Sequence, residues 1–249
     1  MTTPPLTVTA WLRWDAVQPL LPPTGGRVLD IGAGTGTIGS FLADRYDYVG
    51  VEPDPISHAV ASERIGPRGI VHNAAIETLD PAGDFDLVCA FEVLEHIEDD
   101  AGALSLWARH LRPGGTIVVS VPQGRERFSE GDARLGHFRR YDPPELAGKL
   151  RDAGFVNVET VVYGSPWGNV QEAIRHAAFR LRPSAKSRAE RTAESARFLQ
   201  PPSWGVHATR AFAFPLRYAQ RPLATKGIGT GVIAVGRLPD DGTPSDAAL

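Results

Sequence analysis

The sequence predicts an α/β fold, a mostly parallel sheet with helices on both faces, and three observations carry that prediction. Short runs rich in Val and Ile recur along the chain, as in "RVLDI", "GIVH", "FDLVCAF" and "TIVVSVP". Stretches with helical spacing and helix-start residues separate them, which is the alternation of a parallel sheet covered on both faces. With 249 residues, 42% of them hydrophobic, the chain can bury one good core and an appended cap.

The elements follow in order. "VTAWLRWDAVQPLL" (8–21) reads as an amphipathic N-terminal helix closed by Pro22 and Pro23. "RVLDI" is a buried strand, "TGTIGSFLADR" (35–45) a helix and "YVGVE" (48–52) a second strand. Asp54 then caps a helix that has Pro55 at its first position. "GIVH" (69–72) and "FDLVCAF" (85–91) are the third and fourth strands. Asp99 or Asp100 caps a helix running to Leu111, and "RPGG" turns into the strand "TIVVSVP". Asp142 and Pro143 start another helix, Gly154 ends it, and the strands "FVNVETVVY" and "GVIAVGR" complete the pattern.

Two segments break this regularity. Gln123–Tyr141 is a long polar loop, of the kind that serves as a lid or binding loop or is disordered. Residues 164–230 form an insert of mainly helical pattern before the last strand. The expected organisation is an N-terminal helical segment (1–24), a core (25–163), the insert (164–230), the last core strand (231–238) and a disordered tail (239–249).

Charge separates these parts. Residues 1–163 carry 14 basic against 23 acidic side chains, a balance of −9; residues 164–230 carry 11 against three, or +8. The total of −3 therefore hides a basic insert on an acidic body. Such a module suits an anionic partner, whether phosphorylated substrate, lipid headgroup or nucleic acid, or it is a set of ordinary solvated helices. A single cysteine excludes a disulfide framework and a cysteine-built zinc site, and Cys89 in an apolar run reads as a buried thiol. The start "MTTPPLTVTAW" lacks the basic and long apolar segments of a secretory signal, and no apolar run is long enough to span a membrane, so a cytoplasmic protein is expected.

The chemistry concentrates in "VLDIGAGTGTIG" (28–39). A dinucleotide loop reads G-x-G-x-x-G and sets pyrophosphate on a helix N-terminus. Here Gly32 and Gly34 fit, Thr37 holds the third position and the extra glycine is Gly36. Asp30 precedes them, and a carboxylate there repels pyrophosphate and attracts a cation. The expected ligand is nucleoside-like, without phosphates, and carries a positive group.

"VLDIGAGTG", "VGVEPD", "FDLVCAFEVLEHIED" and "LRPGGTIVVSVP" together resemble the successive motifs of class I S-adenosylmethionine-dependent methyltransferases. Within that class the chain looks most like the subgroup of ubiquinone-type, sugar and natural-product O-methyltransferases, over residues 25–163 and the last strand. The resemblance implies a Rossmann-like sheet of seven strands, the last antiparallel between the fifth and sixth. It also implies S-adenosylmethionine as cofactor and a hydroxyl of a saccharide, glycolipid or other small metabolite as acceptor. A membrane-surface lipid methyltransferase and a non-catalytic cofactor-binding scaffold are the alternatives. A nucleic-acid partner is not expected, because no asparagine- or aspartate-proline-proline-aromatic motif of base methylation is present.

On this resemblance Asp30 faces the sulfonium and amino-acid part, and Gly32, Gly34 and Gly36 admit the ligand close to the backbone. Glu52 accepts from the ribose hydroxyls, while Asp54 either helps or only caps its helix. Ala75 and Ile76 stand at the adenine, and Phe91 packs on the ligand or in the core. Arg13 reaches the cofactor carboxylate or is a solvated helix residue. His137, in "GHFRRY", resembles the lid histidine of the subgroup's G-H-x-R-x-[FY] pattern and is the candidate general base, with His96 in reserve. Arg139, Arg140 and Tyr141 orient the acceptor or anchor the lid, and Glu95 joins them on the acceptor side. Glu95, His96 and Asp99 are the conceivable metal ligands, yet no metal is expected. Trp167, Trp204, Phe212, Phe214 and Tyr218 line the acceptor pocket or form the small core of the cap.

Overall fold

The computed structural model describes residues 6–81, 83–172 and 206–240. Strand β1 (Arg27–Ile31) pairs in parallel with β2 (Asp47–Val51) on one side and β4 (Phe85–Phe91) on the other. Strand β3 (Gly69–His72) extends the sheet beyond β2, and β5 (Leu111–Pro122) extends it beyond β4, both in parallel. The last strand, β7 (Gly231–Arg237), inserts antiparallel between β5 and β6 (Val156–Tyr163). The sheet order is β3-β2-β1-β4-β5-β7-β6, the seven-stranded arrangement expected.

Helices cover both faces because β1 and β4 bury alternate residues into two separate clusters. Leu29, Ile31, Val88 and Ala90 pack under α4 (Asp100–His110) and α6 (Pro143–Asp152), with Trp107, Leu104, Leu146 and Leu150. Val28, Leu87 and Cys89 face α1 (Val8–Val17), α2 (Gly39–Ala43) and α3 (Pro55–Ile65), through Trp14, Leu42 and Ile65. Cys89 is fully buried, as its apolar run requires. The lid segment carries α5 (Glu130–Arg134), and α7 (Val206–Ala224) belongs to the insert. Helix α7 lies on α1, where Ala213 and Leu216 meet Val8 and Leu12. The insert thus packs first on the N-terminal helix.

Four local expectations need correction. The N-terminal α-helix stops at Val17 and continues only as a 3-10 turn over Gln18–Leu20, since Pro19 removes a backbone donor. The second helix spans only Gly39–Ala43; the residues before it form turns in which Gly36 has φ 71°. "RPGG" lies within β5 as an irregularity, with Gly114 at φ 71°. The lid is an ordered segment with a 3-10 turn (Arg125–Arg127) and α5, and it is closed by a bridge between Gln123 and Tyr141. Other signals read as expected: Asp54 caps α3 through Ser57 N at 2.9 Å, and Asp99 caps α4 through Gly102 N at 2.9 Å. At the tail, the Pro239 carbonyl accepts from Gly114 N at 3.1 Å, and residues 241–249 lie outside the described residues.

Candidate active site

A cleft of about 1110 Å³ runs along the carboxyl ends of β1, β2 and β4, where ligands of open α/β sheets bind. The glycine turn and Glu52 form one end, while His96, His137, Arg140 and Glu172 form the other. Helix α1 closes it from the side with Thr9, Ala10 and Arg13.

At the glycine end, Glu52 directly follows β2 and accepts from Gly34 N and Asp54 N, both at 2.8 Å. Those bonds fix the loop and leave further lone pairs on the same carboxylate. Burial raises the Glu52 pKa above the usual carboxylate range. Gly34, at φ 56°, has open space where a side chain would project, whereas a side chain on Gly32 would strike Val93. Gly36 does not reach the cleft; it sits against Ala61 of α3, where a Cβ would come within 3.0 Å of backbone. Its glycine serves helix packing, which corrects the ligand role expected of it. Asp54 borders the cleft and caps α3, and Ala75, Ile76 and Phe91 also line it.

Asp30 is 2% exposed and accepts a hydrogen bond from the Tyr48 hydroxyl at 2.7 Å. Burial pushes its pKa up to about 7, against the pull of that bond, and Glu52 adds to the rise. A carboxyl held in this way gains from a cation nearby. Carboxyl side chains on the described wall outnumber guanidiniums by seven to two, so the donor set suits a cationic nucleoside and offers pyrophosphate no basic cradle at the turn.

Arg13 lies at the cleft wall with its side chain 15% exposed, 3.5 Å from Glu92 Oε1, rather than in solvent. Glu92 adopts a left-handed φ of 59°, unusual for a residue with a side chain. Its Oε1 also accepts from the Tyr163 hydroxyl at 3.0 Å and the Ser120 hydroxyl at 3.2 Å. The turn after β4 therefore aims a carboxylate back over the sheet edge, where it binds β5, β6 and α1 together.

At the other end, Glu95 is fully buried and neither carboxyl oxygen has a hydrogen-bond partner. Burial, reinforced by Glu92, raises its pKa well above the usual range. The His96 and His137 rings meet edge to face at 4.7 Å between centroids. Burial and the neighbouring His137 hold the His96 pKa down at about 4, so His96 is neutral at pH 7. His137 Nδ1 faces Asp132 Oδ1 at 3.5 Å. Each of Glu95, His96 and His137 places one potential ligand atom within 4.8 Å of the others. Asp99, weighed as the third ligand, instead caps α4.

The "HFRRY" residues diverge. Arg140 borders the cleft and is 2% exposed. Arg139 turns away, to Asp100 Oδ2 at 2.9 Å and the Glu98 carbonyl at 2.6 Å. Tyr141 is fully buried and donates to Asp100 Oδ2 at 2.9 Å. Arg139 and Tyr141 therefore anchor the lid to the start of α4, the second of the two roles their sequence left open, and of the three only Arg140 borders the cleft. Of the aromatic residues of the insert, Trp167 stacks edge to face on Phe212 at 4.9 Å, Phe214 and Tyr218 are exposed, and Trp204 lies outside the described residues. The sequence reading missed Asp132 and Glu172. Ser129-x-x-Asp132 is a capping-box spacing that marks the first; nothing local marks the second.

Residues 10–160 match the family described as Methyltransferase domain. The chain is 35% identical over 158 residues to a protein of Mycolicibacterium smegmatis named "Probable S-adenosylmethionine-dependent methyltransferase", in an alignment covering 61% of each chain. It is 30% identical over 179 residues to the ubiquinone biosynthesis O-methyltransferase of Xanthomonas axonopodis, covering 64% of this chain and 74% of that one. Among solved structures, an S-adenosylmethionine-dependent methyltransferase from Mesorhizobium loti superposes with a TM-score of 0.56 at 18% identity, covering 90% of this chain and 97% of that one. That likeness bears on the fold.

Proposed function

The chain belongs to the S-adenosylmethionine-dependent methyltransferases, and from that membership we propose that it methylates a hydroxyl of a small molecule such as a saccharide, glycolipid or secondary metabolite. The observation that carries the hydroxyl assignment is His137, buried at the cleft with its Nδ1 turned to Asp132. Relatives named as O-methyltransferases support it.

The bound cofactor supplies an electrophilic methyl carbon on a sulfonium. Asp30 would stand with the cationic part, Glu52 with the ribose hydroxyls, Ala75 and Ile76 with the adenine and Phe91 with its flank. Asp132 orients His137, which leaves Nε2 as the nitrogen turned away from it and free to take the acceptor's proton as the new bond forms. Glu95 offers the acceptor a second polar contact, since both its oxygens are otherwise unpartnered. Arg140 and the lid close the acceptor side, and positioning supplies much of the remaining acceleration. The test is methyl transfer from radiolabelled cofactor to a panel of hydroxylated metabolites. Transfer that persists undiminished in His137→Ala would remove the base, and cofactor binding without transfer to any acceptor would leave a scaffold.

A second reading, catalysis at a membrane surface, is favoured by α7. Its outer face exposes Phe214 and Tyr218, with Arg210 and Arg221 beside them, and the helix contains no acidic residue. No helix among the described residues is long and apolar enough to cross a membrane, so such contact would be peripheral.

A further inference from the structure

The lid histidine does not stand alone. Asp132 is fully buried, and its two oxygens are engaged on opposite sides. Oδ2 accepts from Ser129 N and from the Ser129 hydroxyl, both at 2.9 Å, closing the capping box of α5. Oδ1 accepts from Arg140 at 2.7 Å and faces His137 Nδ1 at 3.5 Å. The backbone repeats the link, since His137 N donates to the Asp132 carbonyl at 3.0 Å. Although burial works against its charge, the neighbouring His137 imidazole and the bonds from Arg140 and Ser129 hold Asp132 well below the usual carboxylate range.

Arg140 carries the connection out of the lid. The same guanidinium nitrogen that meets Asp132 also pairs with Glu172, on the helical stretch 167–172 of the insert. Arg127, from the first turn of the lid, pairs with Glu172 as well and donates to the Gly229 carbonyl at 2.7 Å. Two lid arginines therefore converge on one insert carboxylate, itself 7% exposed. Paired charges in so buried a setting hold fixed geometry, because each leaves its partner uncompensated if it moves.

We infer that Asp132, Arg140 and Glu172 form a positioning chain for His137, through which the seating of the insert sets the tautomer and direction of the lid imidazole. The inference rests on the reading of His137 as base. In this chain Asp132 fixes the proton on Nδ1 and presents Nε2 to the acceptor. Arg140 holds Asp132 in that place, and Glu172 holds Arg140. With the insert unseated, Arg140 keeps Asp132 but loses Glu172, so the partner of Asp132 Oδ1 is held less firmly while Ser129 still holds Oδ2. The other titratable groups against His137 are His96 and Glu95, and neither is bonded to Asp132. The insert thus acts on the imidazole as well as on the acceptor.

The experiment compares Asp132→Asn, Glu172→Gln and His137→Ala in the full chain. It measures kcat, the acceptor KM, cofactor affinity and the histidine tautomers by long-range proton–nitrogen NMR. Asp132→Asn should lower kcat on the order of 10²-fold and raise the Nε2–H tautomer of His137, with cofactor affinity unchanged. Glu172→Gln, nearly isosteric and outside α5, should lower kcat roughly tenfold with the same direction of tautomer change. If Asp132→Asn does not fold, the Glu172→Gln measurement decides alone. Unchanged kcat and tautomer in Glu172→Gln, with His137→Ala inactive, would overturn the chain while sparing the base. Full turnover in His137→Ala with the tautomer shift still seen in Asp132→Asn would remove the base and leave the positioning intact.

Discussion

The Tyr48 hydroxyl donates to Asp30 Oδ2 at 2.7 Å beneath the glycine turn, where the carboxyl is almost sealed from water. The pair places a titratable group with a pKa of about 7 at the glycine-turn end of the cleft, the end proposed for the cofactor. A cation arriving there favours the ionised form, so binding should expel a proton. Calorimetry of cofactor binding in buffers of different ionisation enthalpy should show net release just below pH 7 and none in Asp30→Asn. Affinity should weaken as the pH falls below 7. On folding the sign is opposite: the group's pKa is raised above its unfolded value of 3.8, so its contribution to stability is full below that value and lost as pH rises through about 7. Release that is the same in Asp30→Asn would place the cation elsewhere.

Glu52 should matter through the loop as well as the ligand, because it bonds the backbone of Gly34 and Asp54. Glu52→Ala is expected to weaken cofactor binding by about 1.5–3 kcal/mol, roughly tenfold or more. Titration calorimetry checks it, and undiminished affinity would reject this end of the cleft as the cofactor site.

His137→Ala should lower turnover by 10²–10⁴-fold, on the order expected for a lost general base, while cofactor affinity stays level. His96→Ala should cost less, since burial and the neighbouring His137 hold the His96 pKa at about 4 and make it a weak base. Steady-state kinetics on both variants decides between them. A larger loss in His96→Ala would move the base to that residue.

Burial, with Glu92 beside it, raises the Glu95 pKa well above the usual carboxylate range and so favours its neutral form. Glu95→Gln should therefore preserve acceptor KM within a few fold, and Glu95→Ala should raise it about tenfold by removing the contact altogether. Equal effects of the two changes would mean that the ionised carboxylate binds the acceptor. Exhaustive chelation should leave turnover intact. Loss that a divalent cation restores would assign Glu95, His96 and His137 to that cation.

The outer face of α7 gives the membrane reading its test. Anionic vesicles should sediment the protein and neutral ones should not, and the difference should shrink as salt shortens the screening length below about 8 Å. Phe214→Ser with Tyr218→Ser, and separately Arg210→Gln with Arg221→Gln, should each weaken sedimentation. Arg217 is a poorer probe, because Asp15 already pairs with it at 2.6 Å. Basic residues between 173 and 205 lie outside the described residues. No sedimentation with any lipid would leave α7 as structure alone.

The central strands were legible because burial on both faces leaves a continuous apolar run, and β4 and β7 begin and end where "FDLVCAF" and "GVIAVGR" do; the edge strand β3, with alternate residues exposed, still coincides with "GIVH". Caps were equally plain, since Asp54 and Asp99 need only their own helix to be satisfied. The direction of side chains in "HFRRY" was not legible. These residues share no regular period, and Arg139, Arg140 and Tyr141 turn to Asp100, Asp132 and Asp100 respectively, partners 8 to 41 positions away. The charge contrast of the insert was countable, but Glu172, an acid in a basic segment, draws its meaning from Arg140 and Arg127, which only the folded lid brings to it.

The insert leaves the sheet at the end of β6 and returns at the start of β7, where Tyr163 and Gly231 are register partners and Thr230 N donates to the Tyr163 carbonyl at 2.9 Å. Its two ends are thus stapled at one point, and the hairpin beneath them closes whatever the intervening length. Such a junction makes the segment an exchangeable cassette. A graft that joins residues 163 and 231 through a foreign insert would have to keep an acid in reach of Arg140 and an apolar cover for Val8 and Leu12 of α1, while the glycine turn and Glu52 at the far end of the cleft would stay unaltered.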